Sequence, residues 1–239
     1  MNIHILLPVY NEERRIENGV ENTVDFMEKH FNNKYKITVI DNASTDKTSL
    51  IMEKLVKEYS TVDYIHLKEK GVGIALRTGI KINTFDIVGY MDIDLSTKLD
   101  HLLDVNKIFL EEKNIQIVNG SRNSKKSNVI GRKLGRSITS HGLSIILKIV
   151  LGMKLDDALC GFKFFRKNTI EHLVSVSSNR NGWFYCVELL LRAEKEKISI
   201  KEIPVTWQDD YDTHVNVPKL IKAYLIEIIK LFIEVRIKS

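Results

Sequence analysis

Residues Asp86–Thr97 read DIVGYMDIDLST. Ile87–Met91 suit a buried strand, and that strand runs straight into two carboxylates separated by one residue. Side chains at i and i+2 of a strand point to the same side, so Asp92 and Asp94 stand together where the chain leaves the core. Like charges held close raise the cost of ionising each other. A cation between them relieves that cost, and carboxylate oxygens suit Mg2+ or Mn2+, which completes its shell with substrate phosphates. On spacing alone a solvated acidic turn is the better explanation, because the motif is so short. The apolar strand is what forces the pair to a rim.

Working outward, apolar runs of strand length alternate with helical patterns. Strands are expected at Ile3–Val9, Tyr35–Asp41, Val62–Leu67, Phe85–Asp92 and Ile115–Gly120. Helices are expected near Glu12–His30, Thr45–Tyr59, Val72–Asn83 and Leu99–Lys113, with Ser44 or Thr45 capping the second. Such alternation predicts an α/β chain with a mostly parallel sheet flanked by helices. Ligands of such sheets gather at the carboxyl ends of strands, which puts Tyr10–Glu12, Asp41–Asn42, Asp92–Asp94 and Ser121–Arg122 along one rim. The second half is less regular. It holds a polar, basic segment (NSKKSNVIGRKLGR), a long apolar helix candidate (SITSHGLSIILKIVLGM), a helix near Val187–Lys195, a strand ISIKEIPVTW and a last helix from about Pro218.

The 239 residues suffice for one sizeable core, and the net charge of +5 fits an anionic partner without choosing one. Two cysteines, Cys160 and Cys186, make no disulfide framework or zinc knuckle. The N-terminus reads as a first strand and not as a signal peptide, and no apolar run reaches the roughly 18 residues of a spanning helix.

The run EKGVGIALRTG invites a dinucleotide-binding reading and fails it: the third glycine of GxGxxG would fall at Leu76. What remains is either a helix-entry turn or a loop whose amides, at Gly71 and with Lys70 and Arg77, approach a phosphate. Lys125, Lys126, Arg132, Lys133 and Arg136 surround a loop without interleaved aromatics, which suits phosphate or a lipid headgroup better than nucleic acid. The last helix is broadly apolar and carries Lys219, Lys222, Lys230, Arg236 and Lys238, so it packs on the body, on a second subunit or in a membrane interface.

The segments LLPVYNEE, VIDNASTDKT, KGVGIALRTG, GYMDIDLS, NGSR, DDALCGFKFFR, WFYCVELLLRA and IPVTW occur in the order found in inverting nucleotide-sugar glycosyltransferases of the GT-A fold. More closely, the sequence resembles the polyprenyl-phosphate sugar synthases, the dolichyl-phosphate glucose and mannose synthases among them, from about Ile3 to Trp207. The resemblance implies a GT-A, Rossmann-like domain over residues 1–210; residues 211–239 are left as the amphipathic helix, with a membrane interface among its three alternative seats. It implies that Pro8, Tyr10, Asn11, Glu12, Asp41, Asn42, Gly71 and Arg77 contact the nucleotide sugar. Asp92 and Asp94 would then hold Mg2+ or Mn2+ on its diphosphate. Asp94, Arg122 and Asp157 become the catalytic set, and Arg132, Arg136 and Lys163 the contacts of an acceptor phosphate. Asn42, Ser96 and Cys186 stand where relatives often carry an acid or, at 96, Gln or Glu; Glu188 is kept.

The implied reaction moves a sugar from a UDP- or GDP-sugar to a polyprenyl phosphate at the cytoplasmic face of a membrane, the protein being peripheral there. A phosphate acceptor is already anionic and needs cations more than a base. A glycan hydroxyl acceptor, the second reading, would need Asp157 or Glu188 as base. A third reading is a nucleotide-sugar-binding protein without catalysis. Nucleic acid is not expected as a partner, and the last helix also suits a homo-oligomer contact.

Overall fold

The computed structural model describes residues 1–32, 34–131, 141–208 and 217–237, with side chains of the final helix from 223 to 234. Strands β1 (Ile3–Val9), β2 (Tyr35–Asp41), β3 (Val62–His66) and β4 (Ile87–Met91) are parallel neighbours in the order β3-β2-β1-β4. Helices α1 (Ile16–Phe31), α2 (Thr48–Glu58) and α3 (Val72–Lys81) connect them, and α4 (His101–Glu111) leads to β5 (Ile117–Ser121). After β6 (Asn128–Ile130) come helical residues 141–146, which widen into a π-helical segment, Leu147–Leu151. Then follow β7 (Phe162–Arg166), α5 (Lys167–Val176), α6 (Phe184–Lys195), β8 (Ile200–Pro204), β9 (Thr206–Gln208) and α7 (Val217–Ile237).

The main sheet continues beyond β4 as β7-β5-β8. Strand β7 is antiparallel to both β4 and β5, whereas β5 and β8 are parallel. The mostly parallel sheet is therefore as expected, with one antiparallel insertion that the sequence did not disclose. Lys163 interrupts the aromatic run Phe162–Arg166 and masks it as a strand, although the register sets it against Tyr90. The single strand expected over ISIKEIPVTW is two: β9 leaves the main sheet after Pro204 and pairs with β6. Helix α2 starts at Thr48, and the oxygen that meets the Thr48 amide belongs to Asp46 (3.0 Å), not to Ser44 or Thr45.

Both faces of the sheet are covered, as the period-2 alternation of its strands requires. Ile3, Ile5, Leu7, Val9, Ile37, Val39, Ile87 and Met91 face α1, α2 and α4. Leu6, Ile40, Val88 and Tyr90 face α3, α5, α6 and α7. Each such side chain contributes about 1.5–3 kcal/mol by leaving water, so the strands are fixed in register well before their ends reach the rim.

Helix α7 is seated on this second face. Ile228 and Leu231 are buried, the Tyr224 ring lies 5.8 Å from that of Phe184, and Glu227 and Glu234 each pair with Arg180. Its other side is open: Ile226, Ile229 and Ile233 are exposed, Ile229 to 59%. The neighbouring π-segment exposes Ile149 to 78%. No helix among the described residues is long and apolar enough to cross a membrane.

Candidate active site

The carboxyl ends of β1, β2 and β4 open into a cleft of about 670 Å3. Pro8, Tyr10, Asn11 and Glu12 line one wall, Asn42, Lys70 and Gly71 a second, and Asp92 and Asp94 the floor. The loop ahead of α6, with Asn181, Gly182 and Trp183, forms the roof. Each wall is tied to the next. Asn11, with φ +54°, donates its amide to Ser44 Oγ (2.8 Å) and accepts the Thr45 amide on Oδ1 (2.8 Å). Asn42 donates from Nδ2 to the Val9 carbonyl (3.0 Å) and accepts the Gly71 amide on Oδ1 (3.2 Å). A carboxylate could not make both bonds, which gives the amide at this position a structural reason.

Asp92 and Asp94 follow directly on β4. Asp94 Oδ1 accepts the Ser96 amide (2.9 Å) in a turn that puts Leu95 at φ +53°. Burial, and then the Asp94 charge, push the Asp92 carboxyl up to about 7, against the pull of Arg122 and Lys163. This strained negative charge is the condition that a divalent cation relieves. Two carboxylates and a substrate diphosphate are a fitting oxygen set for Mg2+ or Mn2+. Among the described residues no group of three His, Cys, Asp or Glu side chains completes a metal cage, so the remaining ligands would come from substrate and water. Gly161 arrives from the start of β7 so close that a Cβ on it would lie 2.0 Å from Asp92 Oδ2. Nothing in the DDALCGFKFFR motif itself points to this glycine, whose role is to leave room for the Asp92 carboxylate.

Arg122, at the end of β5, reaches Asp157 with Nε (2.7 Å) and Nη2 (2.9 Å), and its own amide adds a third bond (3.0 Å). Its guanidinium stacks 4.9 Å over the Trp207 ring. Glu202 on β8 accepts the amides of Asp156 (2.8 Å) and Asp157 (3.1 Å), which pins the turn that carries the acid. Burial raises the Asp157 carboxyl, but the Arg122 charge and hydrogen bonds outweigh it and hold the group below the usual carboxylate range. Glu188 is treated alike: against burial, the Ser178 hydroxyl and amide, Arg192 and Arg180 keep it low. The expectation that either acid is available as a base is therefore corrected, since both are enclosed and paired.

Three further expectations change. Arg77 does not approach the cleft; its Nη1 bonds the Arg180 carbonyl (2.6 Å) and its Nη2 the Asn181 side chain (2.8 Å). The amides at the start of α3 are likewise occupied, Gly71 by Asn42 and Gly73 by the Asn181 carbonyl (2.8 Å). The Gly71 residue still lines the cleft, but it is no phosphate cradle. Asp41 lies one layer below the wall, fully buried, where Ser44, Tyr64 and His66 donate to its carboxylate. Lys163 is also fully buried, bonded to the Cys160 carbonyl with its ammonium 5.5 Å from the Tyr90 ring. It lies beneath the aspartates and not on a face an acceptor could reach. Arg132 and Arg136 lie outside the described residues. Lys70, by contrast, stands in the cleft with its ammonium 3.1 Å from the Tyr10 ring centroid.

The family model "Glycosyl transferase family 2" matches residues 4–174. Glycosyltransferase AglD of Haloferax volcanii is 30% identical over 217 residues, covering 90% of this chain and 34% of that protein. A dolichyl-phosphate beta-glucosyltransferase of Trichomonas vaginalis, ALG5D, is 29% identical over 92% of this chain and 70% of its own. The chain thus spans about a third of the length of one relative and most of the other. Among solved structures, glucosyl-3-phosphoglycerate synthase of Mycobacterium tuberculosis with Mn2+, UDP and glucosyl-3-phosphoglycerate superposes with a TM-score of 0.68. It is 20% identical, over 98% of this chain and 79% of that one, a likeness that establishes the shared GT-A architecture.

Proposed function

The chain belongs to glycosyl transferase family 2, and from that membership we propose that it transfers glucose from a nucleotide sugar to the phosphate of a polyprenyl lipid. Dolichyl phosphate and glucose are the acceptor and sugar in the names of its relatives from Trichomonas vaginalis and Saccharomyces cerevisiae. The observation that carries the choice of acceptor is the state of Asp157 and Glu188. Both are buried and tied to arginines, so neither offers the free base that a sugar hydroxyl requires. An acceptor phosphate brings its own negative charge and attacks without one.

In this reading the cleft binds UDP- or GDP-glucose, with Pro8, Tyr10, Asn11, Glu12 and Lys70 along the nucleotide. Asp92 and Asp94 would hold Mg2+ or Mn2+ there. Bound there, the cation supplies Lewis-acid stabilisation of the charge that grows on the leaving group. An oxygen of the acceptor phosphate forms a bond to the anomeric carbon as the bond from that carbon to the diphosphate breaks, and the nucleoside diphosphate departs. Attack from the face opposite the leaving group inverts the anomeric centre. Arg122, locked to Asp157, fixes a positive charge near Asp92 without giving up its own proton.

Residues 1–210 form the catalytic domain in this reading, and residues 211–239 include the helix that meets the cytoplasmic face of the membrane. The exposed Ile226, Ile229 and Ile233 of α7, with Ile145 and Ile149 beside it, supply the apolar contact. Incubating the protein with nucleotide-[14C]glucose, Mn2+ and polyprenyl phosphate in vesicles is the test. Acid-labile label in the organic phase is expected, and label found only in water-soluble glycan would overturn the proposal.

A further inference from the structure

One residue belongs at once to the roof of the cleft and to the seat of α7. The Arg180 carbonyl is held by Arg77 from α3 (2.6 Å), and the next residue, Asn181, accepts the Gly73 amide (2.8 Å) and the second arm of Arg77 (2.8 Å). A Cβ at Gly73 would lie 2.1 Å from that Arg180 carbonyl, so the roof is pressed onto α3. The Arg180 side chain leaves in the other direction. It bonds Glu188 on α6 (2.9 Å) and, on α7, Glu227 (2.6 Å) and Glu234 (2.9 Å). These two acids lie seven residues apart on one face of α7, flanking the buried Ile228 and Leu231. Asn181, Gly182 and Trp183, which follow Arg180 directly, line the cleft.

We infer that Arg180 is a positioning residue that couples the seating of α7 to the roof over the donor cleft. With α7 in place, the guanidinium is satisfied on both sides and the 180–183 segment is fixed between α3 and the final helix. With α7 displaced, Arg180 keeps only Glu188 and the Ser178 hydroxyl (2.7 Å), and the roof loses one of its two supports. The coupling stands on these contacts. Its use, holding the donor firmly only while the lipid-facing helix is seated, rests on the proposed function.

The test uses the whole chain carrying E227Q/E234Q, which removes both charges from α7 at partly exposed positions outside the cleft. Trp183, 44% exposed, reports on the roof through acrylamide quenching, while Trp207 is buried. In the variant, quenching of Trp183 increases, and the dissociation constant for UDP with Mn2+ rises about fivefold, the lower range for coupled sites. R180K, which keeps a charge but not the fork, falls between wild type and R180A. E171Q, a surface change on α5, matches wild type. If E227Q/E234Q quenches as wild type does without nucleotide, the coupling is wrong. Failure of the wild type to bind UDP or GDP would count against the proposed function and leave the quenching comparison to decide the coupling alone.

Discussion

Arg122 and Asp157 are joined by both arms of the guanidinium, at 2.7 and 2.9 Å, with the acid fully enclosed. Sequence order alone suggests two independent catalytic groups. The structure makes them one unit whose charge is fixed before any substrate arrives. Removing one half leaves the other buried and unpaired, a cost of about 3–5 kcal/mol. Arg122→Met should therefore lower the urea midpoint strongly, while Arg122→Met with Asp157→Leu should recover most of the loss. Equal destabilisation by the single and double variants would contradict the pairing. The pH dependence has a sign: Asp157 is held below its ordinary value, so its contribution is complete above about pH 4 and lost as pH falls through the lower, folded-state value. Arg122→Met removes that acid-side loss.

The Asp92 carboxyl, pushed up to about 7, should govern metal binding. Below that value the native protein holds a proton that the cation must displace, so Mn2+ affinity falls about tenfold per pH unit. Without metal the same group destabilises the fold increasingly between about pH 4 and 7, because the unfolded chain releases the proton first. Asp94→Asn removes the neighbouring charge and should shift the affinity profile to lower pH while weakening binding at its plateau. Calorimetric Mn2+ titrations from pH 5.5 to 8 measure both effects; a flat profile for the wild-type chain would refute them.

Gly161→Ala places a methyl group where Asp92 Oδ2 stands. The carboxylate must turn away, and Mn2+ affinity should fall about 10–100-fold, as it does when the support of a metal ligand is lost. Far-UV circular dichroism should be unchanged, which separates the effect from unfolding. Unaltered Mn2+ binding in this variant would show that Asp92 is not the ligand.

Asn42→Asp sets a carboxylate oxygen against the Val9 carbonyl. A stability loss of about 1–3 kcal/mol is expected from the lost donor, read from thermal unfolding. A more stable variant would mean that the amide is not what joins the three loops.

Ile229→Glu and Ile149→Glu put charge on the exposed apolar side of α7 and its neighbour. Sedimentation with vesicles containing anionic lipid should drop several-fold, by about 0.8 kcal/mol for each buried CH2 withdrawn. Transfer to a short, water-soluble prenyl phosphate should be retained. Equal loss of both would place these residues in the fold and not at a lipid surface.

The donor half was legible because its elements obey local rules. Apolar strands ending in Tyr10–Glu12, Asn42 and Asp92–Asp94 can only deliver those residues to one rim of a parallel sheet, and the structure assembles them there. What the sequence concealed depends on partners remote in the chain. Arg77 looks like a phosphate ligand beside a glycine loop until Arg180 and Asn181, a hundred residues later, are seen to occupy it. Lys163 looks like an acceptor contact until its strand is placed in the middle of the sheet. Asp157 and Glu188 carry the residue type of a base, and only burial with arginine removes that role. Gly161 matters through an absent atom, which no pattern of side chains reveals.

Strand β7 runs against both of its neighbours, so its first residues lie at the rim where β4 and β5 finish. Arg122, just after β5, and Gly161, just before β7, therefore stand at that same rim. A change at either end of the stretch between them thus reaches the Asp92 carboxylate, through the Arg122 charge from one end and through the room left by Gly161 from the other.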